Sequence, residues 1–253
     1  MTALRARRLD RTLTSALAPL DSQDDQASGP TGLASLDTRL GGGLPRGHLS
    51  EIVGPRSSGR TSLVLQAMAA ATARGELVAL VDALDMLDVA SAEAAGLDLT
   101  RLLWIRGHVV TNPGFCRDLN QRALEQAIKA LGLVLQAGNF GLVVLDLADA
   151  PPDAIRRLPF TTWLRLQRMV EGTQTICVLA GSMPMSRSSA GLSIVLQPAV
   201  APDAQGAGGR AQASRFTGHL LDGLDLSARV ARARVQASDS AALPLSTKVA
   251  HHV

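Results

Sequence analysis

Aromatic residues, lysine and cysteine are all scarce in this chain of 253 residues. Phe, Trp and Tyr together make up 2% of it and Tyr is absent, so the core must be built from Ala, Leu and Val. The two cysteines, Cys116 and Cys177, lie far apart, which argues against a disulfide framework or a multi-cysteine metal site and fits a reducing cytoplasm. Cys177 lies in an apolar run and is predicted to be a small core residue.

Long apolar runs are also absent. No run approaches the roughly 18 residues that a membrane span requires, and the arginines within positions 5–11 are followed by no apolar stretch of signal-peptide character. We therefore expect no membrane segment and no secretion signal. Lys129 and Lys248 are the only lysines among 25 basic residues, and the net charge of +3 is weak evidence for contact with nucleic acid.

One stretch carries a phosphate-binding pattern, G-x-x-x-x-G-K-[ST], in which arginine replaces the lysine. It consists of Gly54, Pro55, Arg56, Ser57, Ser58, Gly59, Arg60, Thr61 and Ser62. Backbone N–H groups of such a loop converge on a phosphate, and the hydroxyl of Thr61 is placed to reach Mg2+. Residues 49–53 before it read as a strand and residues 62–74 after it as a helix, the context that the motif requires. The pattern predicts an ATP and Mg2+ site; the alternative is a Gly/Ser turn that binds nothing.

Arg60 leaves two interpretations open. It keeps the positive charge, and the strong preference for arginine over lysine throughout the chain is consistent with simple compositional drift. Its planar guanidinium is bulkier than an ammonium, however, and does not fit the same small space between phosphates.

Apolar strands alternate with helices along most of the chain. Strands are predicted at 77–81, 102–105, 141–146 and 175–179, and helices at 120–136 and 161–171. This alternation predicts an α/β fold with a mostly parallel sheet and helices on both faces. We divide the chain into an N-terminal helical arm and linker (1–30), a core (31–198), a mobile loop with a C-terminal β-hairpin at 220–235 (199–235) and a disordered tail (236–253).

Two aspartates end predicted strands at the edge where ligands of open α/β folds bind. Asp146 follows an apolar strand beyond the phosphate loop, and a carboxylate there is predicted to bind Mg2+. Asp82 ends the strand at 77–81, and for it a ligand role and a strand-end cap are equally open.

The segments around the loop resemble the RecA recombinase ATPase core. The resemblance is carried by residues 31–37 (TGLASLD), 42–47 (GGLPRG), 51–55 (EIVGP) and 57–59 (SSG), and continues through Val81-Asp82-Ala83, Leu87-Asp88 and 95–99 (AGLDL). It covers about residues 30–200. The compact length and the segment LLWIRG look more like RecA paralogues of the ImuA type, accessory proteins of a damage-induced translesion-mutagenesis cassette.

The departures from RecA fall on the groups that the resemblance assigns to catalysis. Leu84 stands where RecA has the glutamate that activates water, with Asp85 next to it. Ser91 stands where RecA places a tyrosine near the adenine, and the sensor glutamine falls near residues 180–181. The segment 182–190 is short where RecA has a long DNA-binding loop. Because loss of a positioned general base costs about 100- to 10,000-fold, these departures predict little or no ATP hydrolysis.

Four arginines follow the Asp146 strand, where the resemblance places the first DNA loop: Arg156, Arg157, Arg165 and Arg168. They are candidate phosphate contacts, with a solvated helix face as the alternative. By the same resemblance, residues 1–20 are an arm for self-association or for binding RecA itself, and a Y-family polymerase relative is a further expected partner. We expect a cytoplasmic, non-hydrolysing adaptor of DNA repair, nucleoid-associated if it binds DNA. The alternatives are an active ATP-dependent recombinase and a slow ATP-binding switch.

Overall fold

The computed structural model describes residues 28–107, 117–186, 191–198, 214–217, 220–233 and 242–246. The predicted helical arm, the loop at 199–213 and Cys116 lie outside these residues. Within the described part, no helix combines the length and the apolar character needed to cross a bilayer.

The centre of the fold is a nine-stranded sheet. Its elements in chain order are β3 (Leu49–Val53), β4 (Val78–Asp82), β5 (Leu102–Arg106), β6 (Leu142–Leu147), β7 (Ile176–Gly181), β8 (Leu192–Pro198), β9 (Ser214–Thr217), β10 (Leu220–Ala233) and β11 (Leu243–Ser246). The spatial order is β11-β10-β8-β3-β7-β6-β4-β5, with β9 paired to β10 off this path. The strands from β8 to β5 pair in parallel, and β10 pairs antiparallel with its neighbours. The mostly parallel sheet predicted from the sequence is confirmed.

Helices cover both faces of this sheet. On one face lie α1 (Ala34–Arg39), α2 (Arg60–Ala73) and α3 (Val89–Ala94); on the other lie α4 (Arg117–Ala137), α5 (Pro152–Arg156) and α6 (Phe160–Val170). Alternate strand residues feed the two cores, so Val144 and Val178 pack on the first face while Leu145 and Cys177 pack on the second. Cys177 is fully buried, as predicted, and burial raises the pKa of its thiol to about 12.

The C-terminal region differs from the prediction. Residues 220–233 form one long strand rather than a complete hairpin, and this strand pairs antiparallel with β9. The predicted disorder of 236–253 is wrong for Leu243–Ser246, which pairs with β10. Leu243 and Leu245 alternate with the exposed Pro244 and Ser246 and pack against the core on the α2 face of the sheet. This packing stabilises the short strand.

A buried ion cluster holds the start of the described chain at the edge opposite the phosphate loop. A short ribbon joins β1 (Ser28–Gly29) to β2 (Leu44–Pro45). Arg46 is 8% exposed, and its Nη2 lies 2.6 Å from Glu76 Oε1. Arg74 binds the same carboxylate and donates to the Pro30 carbonyl at 3.0 Å. The last residues of the predicted 21–30 linker are therefore part of the folded unit.

This cluster makes a testable contrast with an exposed ion pair. Replacing Glu76→Ala leaves the buried Arg46 charge without its carboxylate, and should lower the free energy of unfolding by about 3–5 kcal/mol. Asp153→Ala removes an exposed partner of Arg156 and should cost about 0–1 kcal/mol. Equilibrium urea unfolding of both variants measures the difference; equal costs would contradict the assignment of Glu76 as a buried counter-charge.

Candidate nucleotide site

The phosphate loop connects β3 to α2 at the carboxyl edge of the sheet. Gly54 has no room for a side chain, because a Cβ there would lie 2.5 Å from both the Leu196 carbonyl oxygen and Ser58 Oγ. Gly59 has φ of 77° and packs against the Leu226 side chain of β10, so it too must be glycine. Both glycines are thus required by the packing of the loop, which leads into the N-terminus of α2, where an anion cradle would form.

Arg60 does not extend from this loop towards a ligand. It is 5% exposed, and its Nη1 donates to the Gly54 carbonyl and, at 3.1 Å, to the Gly181 carbonyl at the end of β7. Burial lowers the pKa of the guanidinium, while Asp146 and Asp149 act in the opposite direction. The cation expected to neutralise outer phosphates is instead hydrogen-bonded to the protein backbone.

Asp146 lies near Arg60, as the predicted site requires. It is half-buried on β6, and its Oδ1 accepts from the Ala148 N–H at 2.8 Å. Desolvation raises the pKa of this carboxyl to about 6, with a smaller contribution from Asp82 in the same direction. Asp149, a residue that the sequence did not single out as a site residue, forms an ion pair with Arg56 of the loop at 2.6 Å. The loop and the β6 edge are therefore joined across the site.

The residues present fit part of a Mg2+-nucleotide complex. Thr61 and Ser62 are exposed at the first turn of α2, and Ser58 Oγ is buried without a hydrogen-bond partner beside the cradle. Among the described residues there is no group of three His, Cys, Asp or Glu side chains suited to a metal. Thr61 and Asp146 would therefore hold Mg2+ only together with phosphate oxygens and water, as is usual for this ion.

The predicted general-base position is part of the core. Leu84 is 5% exposed and packs in the apolar cluster on the α4 face. Asp85 has φ of 58°, and both of its oxygens lie 2.7 Å from nitrogens of Arg106, whose guanidinium stacks 4.5 Å above the Trp104 ring. The hydrogen bond from Arg106 holds the pKa of Asp85 below its ordinary value. Neither residue is placed as a free base.

Asp82 is a strand-end cap rather than a ligand. Its carboxylate is buried and accepts from the N–H groups of Met86 and Leu87, each at 2.9 Å, and from Trp104 Nε1 at 3.1 Å. The bonds from Met86 and Leu87 fix the turn that follows β4, and the bond from Trp104 joins Asp82 to β5. The structure therefore decides between the two interpretations that the sequence left open.

The positions that the resemblance assigns to the adenine-stacking ring and to the sensor also make structural contacts. Ser91 is exposed, and its N–H donates to Asp88 at 3.0 Å within the N-terminal cap of α3. The side chain at this position offers no ring for a base to stack on. At the end of β7, Gly181 contributes only its carbonyl, which accepts from Gly54 N as well as from Arg60.

Glu51 is a functional candidate that sequence reasoning missed. It lies on β3 at 1% exposure, and its carboxylate accepts from Met185 N at 2.7 Å, Ser186 N at 2.6 Å and Ser193 Oγ at 2.8 Å. An acid within an apolar strand was the available signal, because such a group needs buried partners. Glu51 thus fixes residues 185 and 186 of the 182–190 segment, of which residues 187–190 lie outside the described part.

The four candidate DNA-contacting arginines all lie on the surface of α5, of α6 and of the segment 157–159 between them. Arg156 pairs with Asp153 at 3.1 Å, which agrees with the solvated-face alternative for that residue. Within the described residues, Arg157, Arg165 and Arg168 have no ion-pair partner. Their role in binding DNA stays a prediction. Trp163 is 2% exposed and belongs to the core, as expected.

The raised pKa of Asp146 predicts an unusual pH dependence of stability. A carboxyl whose pKa is about 6 in the folded chain and 3.8 ordinarily contributes full stability below the lower value and loses it as pH rises through 6. Asp146→Asn should remove this loss and raise the free energy of unfolding at pH 7.5 by about 1–3 kcal/mol. Urea unfolding from pH 4 to 8 measures it, with the exposed Asp153→Asn as control. A variant less stable than the parent at pH 7.5 would contradict the desolvation argument.

Comparison with known proteins agrees with this geometry. Residues 14–154, more than half of the chain, match the family model of the RecA N-terminal domain. RecA of Clavibacter michiganensis is 38% identical over 156 residues, which are 56% of this chain and 39% of that protein. RecA of Saccharopolyspora erythraea is 41% identical over 122 residues, 48% of this chain and 31% of that protein. The chain thus spans less than half the length of these curated relatives.

The fold also matches a solved structure. A KaiC-like protein of the hyperthermophilic archaeon Pyrococcus horikoshii aligns with a TM-score of 0.52 at 18% identity, covering 87% of this chain and 94% of that chain. This similarity supports a shared α/β fold of the RecA and KaiC type. The family match over residues 14–154 identifies the family: the chain belongs to the RecA family.

Proposed function

We propose that this chain is an accessory RecA paralogue of DNA repair and damage-induced mutagenesis, of the ImuA type, with little or no ATP hydrolysis. The observation that carries the proposal is the environment of Leu84 and Asp85, at the position of the expected general base. Leu84 is packed in the core and Asp85 is engaged by Arg106, so neither residue offers a free carboxylate to activate water. An accessory protein that acts through contacts with other proteins does not need that group.

The position of Arg60 supports the same function. Catalysis of phosphoryl transfer relies on cations that neutralise the charge developing on the transferred group. Here the guanidinium is directed to the Gly54 and Gly181 carbonyls. To reach a γ-phosphate it would have to give up both hydrogen bonds.

A nucleotide-binding switch is the second candidate, and the loop geometry favours it. Gly54 and Gly59 keep the cradle, and Thr61 and Asp146 keep a place for Mg2+. Such a protein would bind ATP and turn it over slowly. The active recombinase is the weakest alternative, because it requires a general base in addition to the cradle.

The partners proposed for the accessory role are a Y-family polymerase relative and RecA itself, in the cytoplasm and at the nucleoid if DNA is bound. Residues 1–20 are proposed as the arm for self-association or for contact with RecA. These proposals come from the RecA and ImuA resemblance, and the described residues do not include that arm.

Measurement of DNA-stimulated ATP turnover tests the proposed loss of catalysis. We expect turnover about 100- to 10,000-fold below that of a RecA control assayed in parallel. Arg60→Lys should increase affinity for a labelled ATP analogue, because a lysine is compact enough to face phosphates, yet it should leave turnover low while Leu84 is unchanged.

Two results separate the candidates. Turnover by the parent chain within tenfold of the RecA control would reject the accessory role. Binding of the analogue by the parent without turnover would favour the switch, whereas no binding at high micromolar concentration would leave the adaptor. Leu84→Glu tests whether a carboxylate alone restores activity, with Leu84→Gln as its uncharged control and thermal unfolding as the check on folding.

The salt dependence of DNA binding tests the exposed arginines. If Arg165 and Arg168 contact phosphates, the double alanine variant should reduce the slope of log K against log salt by about 1–2 for single-stranded DNA. Arg122→Ala, an exposed arginine on α4, is the matched control and should leave the slope unchanged. A parent slope near zero, or equal effects of both variants, would contradict phosphate contacts.

A further inference from the structure

An ion pair joins the middle of the phosphate loop to the turn that follows β6. The guanidinium of Arg56 donates to Asp149 Oδ1 from Nε at 2.9 Å and from Nη2 at 2.6 Å. The side chain of Arg56 is 83% exposed and that of Asp149 is 22% exposed. The loop contains one other basic residue, Arg60, which is bound to backbone carbonyls. Arg56 is therefore the cation that the loop can still present to a ligand.

The carboxylate partner lies on a fixed backbone. Asp149 belongs to a turn that is closed by a hydrogen bond from Ala150 N to the Leu147 carbonyl at 3.1 Å. Directly before it, Ala148 N donates to the side chain of Asp146 at 2.8 Å. An exposed arginine side chain has many accessible rotamers, whereas these two hydrogen bonds hold the backbone of the turn. Separation of the pair would therefore move the arginine and leave the carboxylate in place.

The pair is built more loosely than a second arginine–aspartate pair at the same edge of the sheet. Arg106 meets both oxygens of Asp85, each at 2.7 Å, and stacks on the Trp104 ring. Both hydrogen bonds of Arg56 go to a single oxygen of Asp149. An exposed ion pair changes an equilibrium constant by about fivefold or less. A stronger partner can therefore replace Asp149.

A phosphate group is such a partner, because a guanidinium forms charge-assisted, bidentate hydrogen bonds with its oxygens. Thr61 and Asp146 would hold Mg2+, an ion that bridges the two outer phosphates of a nucleoside triphosphate. Asp149 follows Asp146 by three residues, so the pair draws Arg56 towards the end of β6 where Mg2+ and the outer phosphates would bind. An incoming triphosphate would thus compete with Asp149 for the guanidinium.

The charges around the loop make this competition consequential. Burial is the main cause of the lowered pKa of Arg60, Asp146 and Asp149 oppose it, and the charge of Arg56 adds to it. The four groups therefore lie within electrostatic reach of one another. While Asp149 neutralises Arg56, an incoming phosphate meets two carboxylates and no available cation of the loop. Affinity for a triphosphate then depends on how firmly Asp149 holds Arg56.

We propose that the Arg56–Asp149 ion pair is an autoinhibitory contact of the nucleotide site, and that Arg56 leaves Asp149 to bind the outer phosphate of a nucleoside triphosphate. The inference rests on the proposed function in taking a nucleotide as the ligand of the loop, and it adds how that binding is regulated. Asp149 sets the threshold for binding, and Arg56 makes the site prefer triphosphates to diphosphates. Neither effect requires hydrolysis.

Equilibrium binding of a labelled, non-hydrolysable ATP analogue with Mg2+ to the full chain tests the exchange. Asp149→Asn frees Arg56 and should raise the affinity about threefold to fivefold. Arg56→Gln removes the phosphate partner, and should lower the affinity for the analogue by about tenfold or more but that for ADP by less than about threefold. Asp153→Asn and Arg122→Gln make the same charge changes at exposed positions on α5 and α4. These controls should change neither affinity by more than about twofold, and thermal unfolding checks that each variant is folded.

The double variant separates the release of Arg56 from simple charge repulsion. In the Arg56→Gln background, Asp149→Asn has no cation to release, so its gain in affinity should fall below about twofold. An equal gain in both backgrounds would mean that Asp149 only repels the phosphates, and would overturn the proposed exchange.

Nitrogen NMR of isotope-labelled arginine follows the side chain itself. The Nε signal of Arg56, assigned by its loss in Arg56→Gln, should move when the analogue is added and should already differ from the parent in ligand-free Asp149→Asn. The proposal is overturned if this signal stays unchanged at saturation, if Asp149→Asn does not raise the affinity, or if neither the parent nor Asp149→Asn binds the analogue at millimolar concentration. ATP turnover of the same samples reports separately on the proposed loss of catalysis: high turnover rejects that function, whereas low turnover with an unaltered binding pattern rejects only the ion-pair exchange.

Discussion

A buried guanidinium requires hydrogen-bond acceptors, and the acceptors of Arg60 connect several parts of the carboxyl edge of this sheet. Its hydrogen bonds to the Gly54 and Gly181 carbonyls join the first residue of the phosphate loop to the end of β7. The Gly54 N–H returns to the same Gly181 carbonyl. Beyond Gly181 the chain is held by Glu51 from the neighbouring strand β3. Hydrogen bonds within the protein thus connect the loop, β7 and the segment after it.

Other residues at positions that the RecA resemblance assigns to catalysis or nucleotide binding also make structural contacts. Leu84 contributes to the core, Asp85 is held by Arg106 and Ser91 belongs to a helix cap. Leu84 buries apolar surface in the core, and the carboxylates of Asp85 and Asp88 accept hydrogen bonds from Arg106 and Ser91. These contacts are the basis of the proposal that the chain hydrolyses little or no ATP. This is why family membership alone does not establish activity for this chain.

Much of the architecture could be predicted from the residue pattern. Residues 49–53 were predicted as a strand with the bounds that the structure shows, because a short segment directly before a glycine loop and a helix is the local context that this motif requires. The helix predicted at 120–136 extends to Arg117–Ala137, and helix ends are where local signals are weakest. The strand Leu243–Ser246 was missed because four residues in a polar tail have little pattern of their own, and their pairing with β10 stabilises them.

The sequence by itself determined the parallel α/β fold, the position of the phosphate loop and the replacement of its lysine, since each depends on residues close together in the chain. Only the tertiary structure decided what those residues do. Arg60 bonds to a carbonyl 121 positions away, and Glu51 bonds to a hydroxyl 142 positions away. Asp82 also accepts a hydrogen bond from Trp104 of the neighbouring strand, a partner that the local sequence does not indicate. A side chain's role depends on which partners folding brings within hydrogen-bond distance, and no local pattern contains that information.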